Sequence, residues 1–377
     1  MKQKRVLFLT GTRADYGKMK PLMRALDDRQ EFQVFIFVCG MHLSETFGGT
    51  FTEVLKDGYE NVHIAYGLLQ TQNASVNVGN TIAYLSGYVE HVRPDMIVVH
   101  GDRMEALAGA VVGALHNILV AHIEGGELSG TIDESIRHAI SKFAHIHFVC
   151  TKEAQARLIQ LGEEPDRIYV IGSPDIDVMM SDRLPSVGRA KERYDIRFER
   201  YGILMYHPVT TEYDRVGIYC RTVVDAVIGS GRNYIVVFPN NDLGSEVILN
   251  EYRRFNGNQR FRVFSSLRFE YFLTLLKHAD FIIGNSSAGI REAGIYGIPA
   301  IDIGSRQSGR YIPGAANIQH VGEEEEAIRT ALMRIDEYRT ASFTFGDGKS
   351  TEKFLGIVRE PAFWNIKIQK RFVDHAI

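Results

Sequence analysis

MIVVHGD (Met96–Asp102) and ILVAHIEGGELSG (Ile118–Gly130) decide the fold of this chain. Each begins as an unbroken run of Val, Ile, Leu, Met and Ala and ends abruptly in glycine and ionisable residues. Continuous apolar runs of this length mark strands covered on both faces, the pattern of a parallel sheet. The stretch between them, Met104–Asn117, is helix-sized, which completes a strand–helix–strand unit. Working outward, RVLFLT (Arg5–Thr10), FQVFIFVCG (Phe32–Gly40) and HIHFVCT (His145–Thr151) repeat the pattern, so the first half reads as one doubly wound domain. A second series follows: YGILMYHP (Tyr201–Pro208), YIVVFPNN (Tyr234–Asn241), ADFIIGN (Ala279–Asn285) and IPAIDIG (Ile298–Gly304).

The fold class expected is therefore α/β, with two Rossmann-like doubly wound domains whose strand ends face a central cleft. The expected domains are 1–170, a linker at 171–200 with two prolines and no strong strand, and a second domain at 201–358. The chain has 377 residues, 45% of them hydrophobic and 24% charged, enough for two globular cores and unlike disordered, collagen-like or coiled-coil sequences. Its 43 Lys+Arg against 46 Asp+Glu leave a net charge of −3, which gives no general attraction for a nucleic-acid backbone and predicts no nucleic-acid or membrane partner. Cys39, Cys150 and Cys220 are widely spaced and odd in number, which argues against a disulfide framework or a zinc knuckle and for a reducing, cytoplasmic setting. The apolar run after the basic N-terminus is too short for a signal peptide, and no stretch is long enough to span a bilayer.

Polar residues gather at the predicted strand ends. Gly11–Lys18 (GTRADYGK) is a glycine-punctuated turn with Arg13 and Lys18, able to offer N–H groups and positive charge to an anion. It matches neither GxGxxG nor GxxxxGK[ST], so dinucleotide and P-loop readings lose support. Asp102 and Arg103 follow one strand; His122, Glu124 and Glu127 follow the next; Asp133, Arg137 and Ser141 share one face of a helix by i, i+4 spacing. Clustered acids raise one another's pKa values, which suits acid–base chemistry near neutral pH. A metal is the rival reading, but no ligand spacing fixes a geometry, so no metal is expected. In the second half, His207 ends a strand. Asn285, Ser286, Ser287 and Gly289 open a helix whose N-terminus would seat a phosphate, with Glu292 one and a half turns on for a ribose diol. A phosphate seat in one domain and a carboxylate cluster in the other describe a nucleotide-sugar site.

GTRADYGK, GDRMEALAGA, HIEGGELSGTIDESIRH, MYHPVTTE, FPNND and GNSSAGIREAGIYGIP, in order along the chain to WNIKIQKRF at its end, together resemble the hydrolysing UDP-N-acetylglucosamine 2-epimerases of sialic acid biosynthesis. The resemblance implies a fold of the glycosyltransferase-B type, with a C-terminal helix at 359–377 crossing back to the first domain. It implies conversion of UDP-N-acetylglucosamine and water to N-acetylmannosamine and UDP, no cofactor, and a homodimer or homotetramer. By motif, the acids are Asp102, Glu124 and Asp133; His207 acts at the pyrophosphate. Arg13, Ser286, Ser287 and Arg306 contact the phosphates, Glu292 the ribose, and His42 lies near the sugar. A sister enzyme acting on UDP-N,N'-diacetylbacillosamine for legionaminic acid, a non-hydrolysing epimerase, a glycosyltransferase of this fold and a non-catalytic nucleotide-sugar-binding regulator are the alternatives.

Overall fold

The computed structural model describes residues 3–71, 73–311 and 315–374. Among these, two all-parallel sheets form. The first holds β1 (Lys4–Thr10), β2 (Phe32–Val38), β3 (Asn61–Ile64), β4 (Met96–His100), β5 (Leu119–Ile123), β6 (Ile146–Val149) and β7 (Ile168–Val170), in the order β3-β2-β1-β4-β5-β6-β7. The second holds β8 (Gly202–Met205), β9 (Tyr234–Val237), β10 (Phe261–Phe264), β11 (Phe281–Gly284), β12 (Ala300–Ile303) and β13 (Ile318–Val321), in the order β10-β9-β8-β11-β12-β13. Both sheets reverse their winding beside their first strand, at β1/β4 and β8/β11. In open α/β sheets that reversal opens a crevice at the carboxyl ends of the strands, where ligands bind.

The first sheet is buried on both faces. Along β1, Val6 and Phe8 join one apolar cluster while Leu7 and Leu9 join another, so successive residues feed opposite layers. The continuous apolar runs that identify strands in the sequence are the central ones. The four strands without such a run, β3, β7, β10 and β13, are the four sheet edges. Edge strands are covered less, and NVHI at β3 is half-buried throughout.

The chain separates into two compact units whose bounds differ from the sequence reading. Met1–Glu127, Asp133–Met180 and Phe345–Ile377 form the first; Leu128–Ile132 and Ser181–Thr344 form the second. The stretch read as a linker is structured. It contains the helices Pro174–Met179 and Val187–Arg193, and the division falls at Met180. The segment returning to the first unit starts at Phe345, earlier than the expected 359. Its helix is Ser350–Val358; beyond it come only a single-turn helix at Pro361–Asn365 and non-helical chain to residue 374. Phe354 and Val358, one turn apart, are fully buried in the first core, with Phe354 edge-on to Phe148 at 4.9 Å between ring centres. This apolar pair draws the helix into the first unit. Among the described residues, no helix is long and apolar enough to cross a membrane.

Candidate functional site

At the β1/β4 crevice, Thr12 caps the helix Arg13–Asp27, and Asp15 closes a reciprocal capping box. The Asp15 carboxylate accepts hydrogen bonds from the Gly11 N–H (3.1 Å), the Thr12 N–H (3.2 Å) and the Thr10 hydroxyl. The turn therefore directs its N–H groups at its own buried acid, which corrects the expectation that they face an external anion. Burial pushes the Asp15 carboxyl above its ordinary value. Arg13 lies half-buried, with Nη2 3.8 Å from Glu53.

His42 is also a correction. It is fully buried, and its ring nitrogens meet the Thr10 hydroxyl (3.0 Å) and the Thr50 hydroxyl (2.7 Å). Burial, with Arg13 nearby, lowers its pKa to about 3, so it is a neutral core group tied down on both sides and does not face a ligand.

Asp102 and Glu124 follow the neighbouring strands β4 and β5. Arg137 donates to the Asp102 carboxylate and to the Glu124 carbonyl (2.6 Å). At 1% exposure it braces the two acids, in place of the substrate contact expected of it. Glu124 itself sits at φ +63°, a left-handed conformation that costs a non-glycine residue on the order of 1–3 kcal/mol. Its carboxylate accepts from the Ser173 hydroxyl (3.1 Å) and lies 3.3 Å from His100 Nε2 and 3.7 Å from Lys18 Nζ. Lys18 is buried and also faces Asp175 at 3.6 Å. It is a cation between two internal carboxylates, not a turn residue offered to a phosphate. Arg103 lies beside Glu105, Nε to carboxylate 3.6 Å. Asp133 is half-buried in the first turn of the helix Ile132–Phe143, one turn ahead of Arg137.

In the second unit, β8 and β11 end side by side. Gly284 has φ +130°, and a Cβ there would lie 2.0 Å from the Met205 carbonyl, so only glycine lets the strands approach this closely. The next residue, Asn285, accepts from the His207 N–H (2.7 Å) and donates to the His207 carbonyl (2.9 Å). The Asn285 amide thus clamps a neighbouring backbone and is 1% exposed; its side chain positions His207 and does not itself face a ligand. The Asn240 N–H donates to His207 Nδ1 (3.0 Å). An N–H donor requires an unprotonated Nδ1, so the ring is held neutral with its proton on Nε2. Arg306 and Gln307 both donate to the Asn285 carbonyl, at 3.2 and 2.7 Å. The loop bearing them also receives Leu128–Ile132: the Gly130 N–H donates to the Arg306 carbonyl (3.1 Å), and Arg310 donates to the Leu128 carbonyl (2.9 Å).

The helix expected to seat a phosphate is shorter than the sequence reading requires. Ser286 caps Ser287–Ile290, which stops at Arg291 (φ −100°, ψ −67°) before a second short piece, Glu292–Ile295. Four residues carry little dipole, so positive charge here comes from Arg306 more than from the helix. Ser287 is half-buried and Glu292 buried. A Cβ on Gly289 would sit 3.5 Å from that of Ala300, so this glycine faces the sheet. The sequence reading gave no role to His100, Ser173, Asp175 or Asn240. His100 stands in the quoted HGD, whereas Ser173 and Asp175 lie in the supposed linker, where no spacing marked them.

A family model described as UDP-N-acetylglucosamine 2-epimerase matches residues 24–359. The chain is 46% identical to the UDP-N-acetylglucosamine 2-epimerase of Neisseria meningitidis serogroup B, covering 98% of this chain and 99% of the relative. It is 32% identical to the hydrolysing UDP-N,N'-diacetylbacillosamine 2-epimerase of Legionella pneumophila (94% and 96%) and 30% identical to the polysialic acid biosynthesis protein P7 of Escherichia coli (89% and 87%). Its fold is shared with the UDP co-structure of MnaA from S. aureus, with a TM-score of 0.79 at 19% identity over 99% of this chain and all of that one.

Proposed function

This chain belongs to the UDP-N-acetylglucosamine 2-epimerase family, and we propose that it is a hydrolysing member, converting UDP-N-acetylglucosamine and water to N-acetylmannosamine and UDP for sialic acid synthesis. One observation carries the reading: Asp102 and Glu124 end adjacent strands braced by a single buried Arg137, with Asp133 one turn before it on the same helix. The 46% identity to the Neisseria enzyme supports the substrate, and the likeness to the polysialic acid protein supports the destination.

In this mechanism the C1–O bond to UDP breaks first, because the C2 proton becomes acidic only as oxocarbenium character grows at C1. A carboxylate, Asp102 or Asp133, takes that proton, which leaves 2-acetamidoglucal and UDP. The Nε2–H of neutral His207, with Arg13, Arg306, Ser286 and Ser287, stabilises charge on the departing diphosphate. Glu292 holds the ribose. Water then adds at C1 and a carboxyl proton reaches C2 from the opposite face, with Glu124 activating the water or stabilising positive charge.

Proton NMR of UDP-N-acetylglucosamine with the protein in D₂O tests this. Expected are free UDP, N-acetylmannosamine carrying deuterium at C2, and an Asp133→Asn variant that binds UDP without turnover. UDP-N-acetylmannosamine without UDP release would make it a non-hydrolysing epimerase, and normal turnover by the variant would remove Asp133 from proton transfer. The 32% likeness to the Legionella enzyme favours one second reading, a diacetamido-trideoxy UDP-sugar as substrate. Faster UDP release from that sugar than from UDP-N-acetylglucosamine would establish it.

A further inference from the structure

His122 is fully buried two residues before Glu124, and it lies outside the set of groups assigned to proton transfer or binding. Its Nε2 lies 2.7 Å from the carbonyl of Gly101, and its Nδ1 lies 3.1 Å from the hydroxyl of Ser141. A carbonyl only accepts, so the proton is on Nε2 and Nδ1 of the neutral ring is an acceptor; the Ser141 hydroxyl beside it, also 3.1 Å from the Arg137 carbonyl, has one proton to share between the two. The two partners belong to the two elements that carry the other acids. Gly101, at φ +72°, is the pivot immediately before Asp102. Ser141 is one turn beyond Arg137 on the helix whose first turn holds Asp133. The ring therefore spans from β5 to the Asp102 turn on one side and to the Asp133 helix on the other.

The seat for this ring is built closely. Gly125 has no Cβ to spare: one placed there would lie 2.9 Å from His122 Nδ1 and 3.2 Å from the Ser141 hydroxyl. Glycine after Glu124 is thus required by the imidazole and its helix partner. On the opposite flank, Arg137 ties the same helix to Asp102 and Glu124. Arg137 fixes the carboxylate end and His122 the backbone end, so the Asp102 turn is held at two points against one helix.

We propose that His122 is a positioning residue for the reaction, a strut that sets the Asp102 turn against the helix bearing Asp133 without touching the substrate. This rests on the carboxylate roles proposed above. A reacting group displaced by roughly 1 Å loses on the order of 100-fold in rate. Burial holds the ring neutral, with a pKa of about 3, so it carries no proton in turnover at neutral pH.

The experiment compares His122→Phe, which keeps volume but no hydrogen bonds, with His122→Gln, whose amide keeps a donor and an acceptor, and with Gly125→Ala, which pushes the ring from its seat. His122→Phe is expected to lose about 100-fold in kcat, with UDP affinity by calorimetry kept within about twofold. His122→Gln is expected to recover at least about a tenth of wild-type kcat with both limbs of the pH profile intact. Wild-type kcat in His122→Phe, or a missing limb in His122→Gln, overturns the proposal. Should His122→Phe not fold, Gly125→Ala is held to the same kcat and affinity outcomes. Hydrogen exchange separates this inference from the proposed function, because it needs no turnover. If wild-type protein releases no UDP, the function fails, while the strut still requires faster exchange at the Gly101–Asp102 amides in the variants. Unchanged protection there refutes the strut.

Discussion

Replacing Lys18 by methionine should destabilise the first unit far more than its position in a surface-winding helix suggests. Lys18 Nζ lies 3.7 Å from Glu124 and 3.6 Å from Asp175, and all three side chains are at least nine-tenths buried. At these distances, with an effective dielectric constant near 20, each pair is worth roughly 4–5 kcal/mol of Coulomb attraction, much of it offset by desolvation. Methionine matches the stem but removes the charge, leaving two buried carboxylates without the cation between them. Breaking a buried pair from one side costs about 3–5 kcal/mol, and that is the loss expected here. The chain offers a local reporter, because its single tryptophan, Trp364, packs beside Phe32 and Phe363 in the first unit. Urea unfolding followed by its fluorescence reads this unit alone. The penalty should shrink as pH falls from 8 to 5, since carboxyls that have lost the lysine take up protons in the folded state and proton uptake by the folded form stabilises it. Lys18→Met with Asp175→Asn should recover at least about 1 kcal/mol relative to the sum of the two single variants. A Lys18→Met loss below about 1 kcal/mol, independent of pH, would refute the idea that this lysine neutralises an internal acid pair.

Two further outcomes follow from the packing of the C-terminal segment. Phe354→Ala should lose about 3–5 kcal/mol in the same fluorescence-monitored unfolding, because it empties a fully buried ring site against Phe148. Glu163 is 2% exposed; burial works against its ionisation but is outweighed by His147 at 3.1 Å, Lys370 at 2.5 Å and Lys142 at 2.7 Å, so its carboxyl lies at about 2. A depressed folded pKa stabilises at pH values above the unfolded one, so the stability gap between wild type and Glu163→Gln should be full at pH 6 and narrow as pH falls from about 4.5 toward 2.

How much of this was readable in the sequence follows from burial. Every interior strand betrays itself by a continuous apolar run, because both faces of a parallel sheet are covered. The edges β3, β7, β10 and β13 carry His63, Tyr169, Arg262 and His320, and lack a run. Site residues at strand ends were visible for the same reason: Asp102 and Glu124 interrupt apolar runs. What those residues touch was not. Arg137 and Asn285 look like ligand-binding groups in one dimension, yet both are buried braces, the first holding two acids and the second a histidine backbone. Ser173 and Asp175 escaped notice because a short helix entering from a supposed linker has no periodic signature, although its first residues complete the Glu124 environment.

The histidines divide the labour at these two crevices. His42 and His122 are each held by two internal partners, and burial lowers both to about 3. His207 accepts a backbone N–H at Nδ1 and is neutral by geometry. A group fixed in one protonation state can orient, brace or donate a hydrogen bond, but it cannot shuttle protons at neutral pH. With these three fixed, proton transfer to and from carbon in the proposed reaction is assigned to the acids of the first unit, where His100 also lies 3.3 Å from Glu124. Two of them are coupled through one guanidinium, Asp102 by its carboxylate and Glu124 by its carbonyl. The bracing differs in kind for a reason: Arg137 neutralises Asp102 directly, whereas the Glu124 carboxylate is left to Lys18, His100 and Ser173. Two carboxyl groups in such unequal settings can hold protons with unequal strength, which is what an elimination followed by a hydration on the opposite face requires of them.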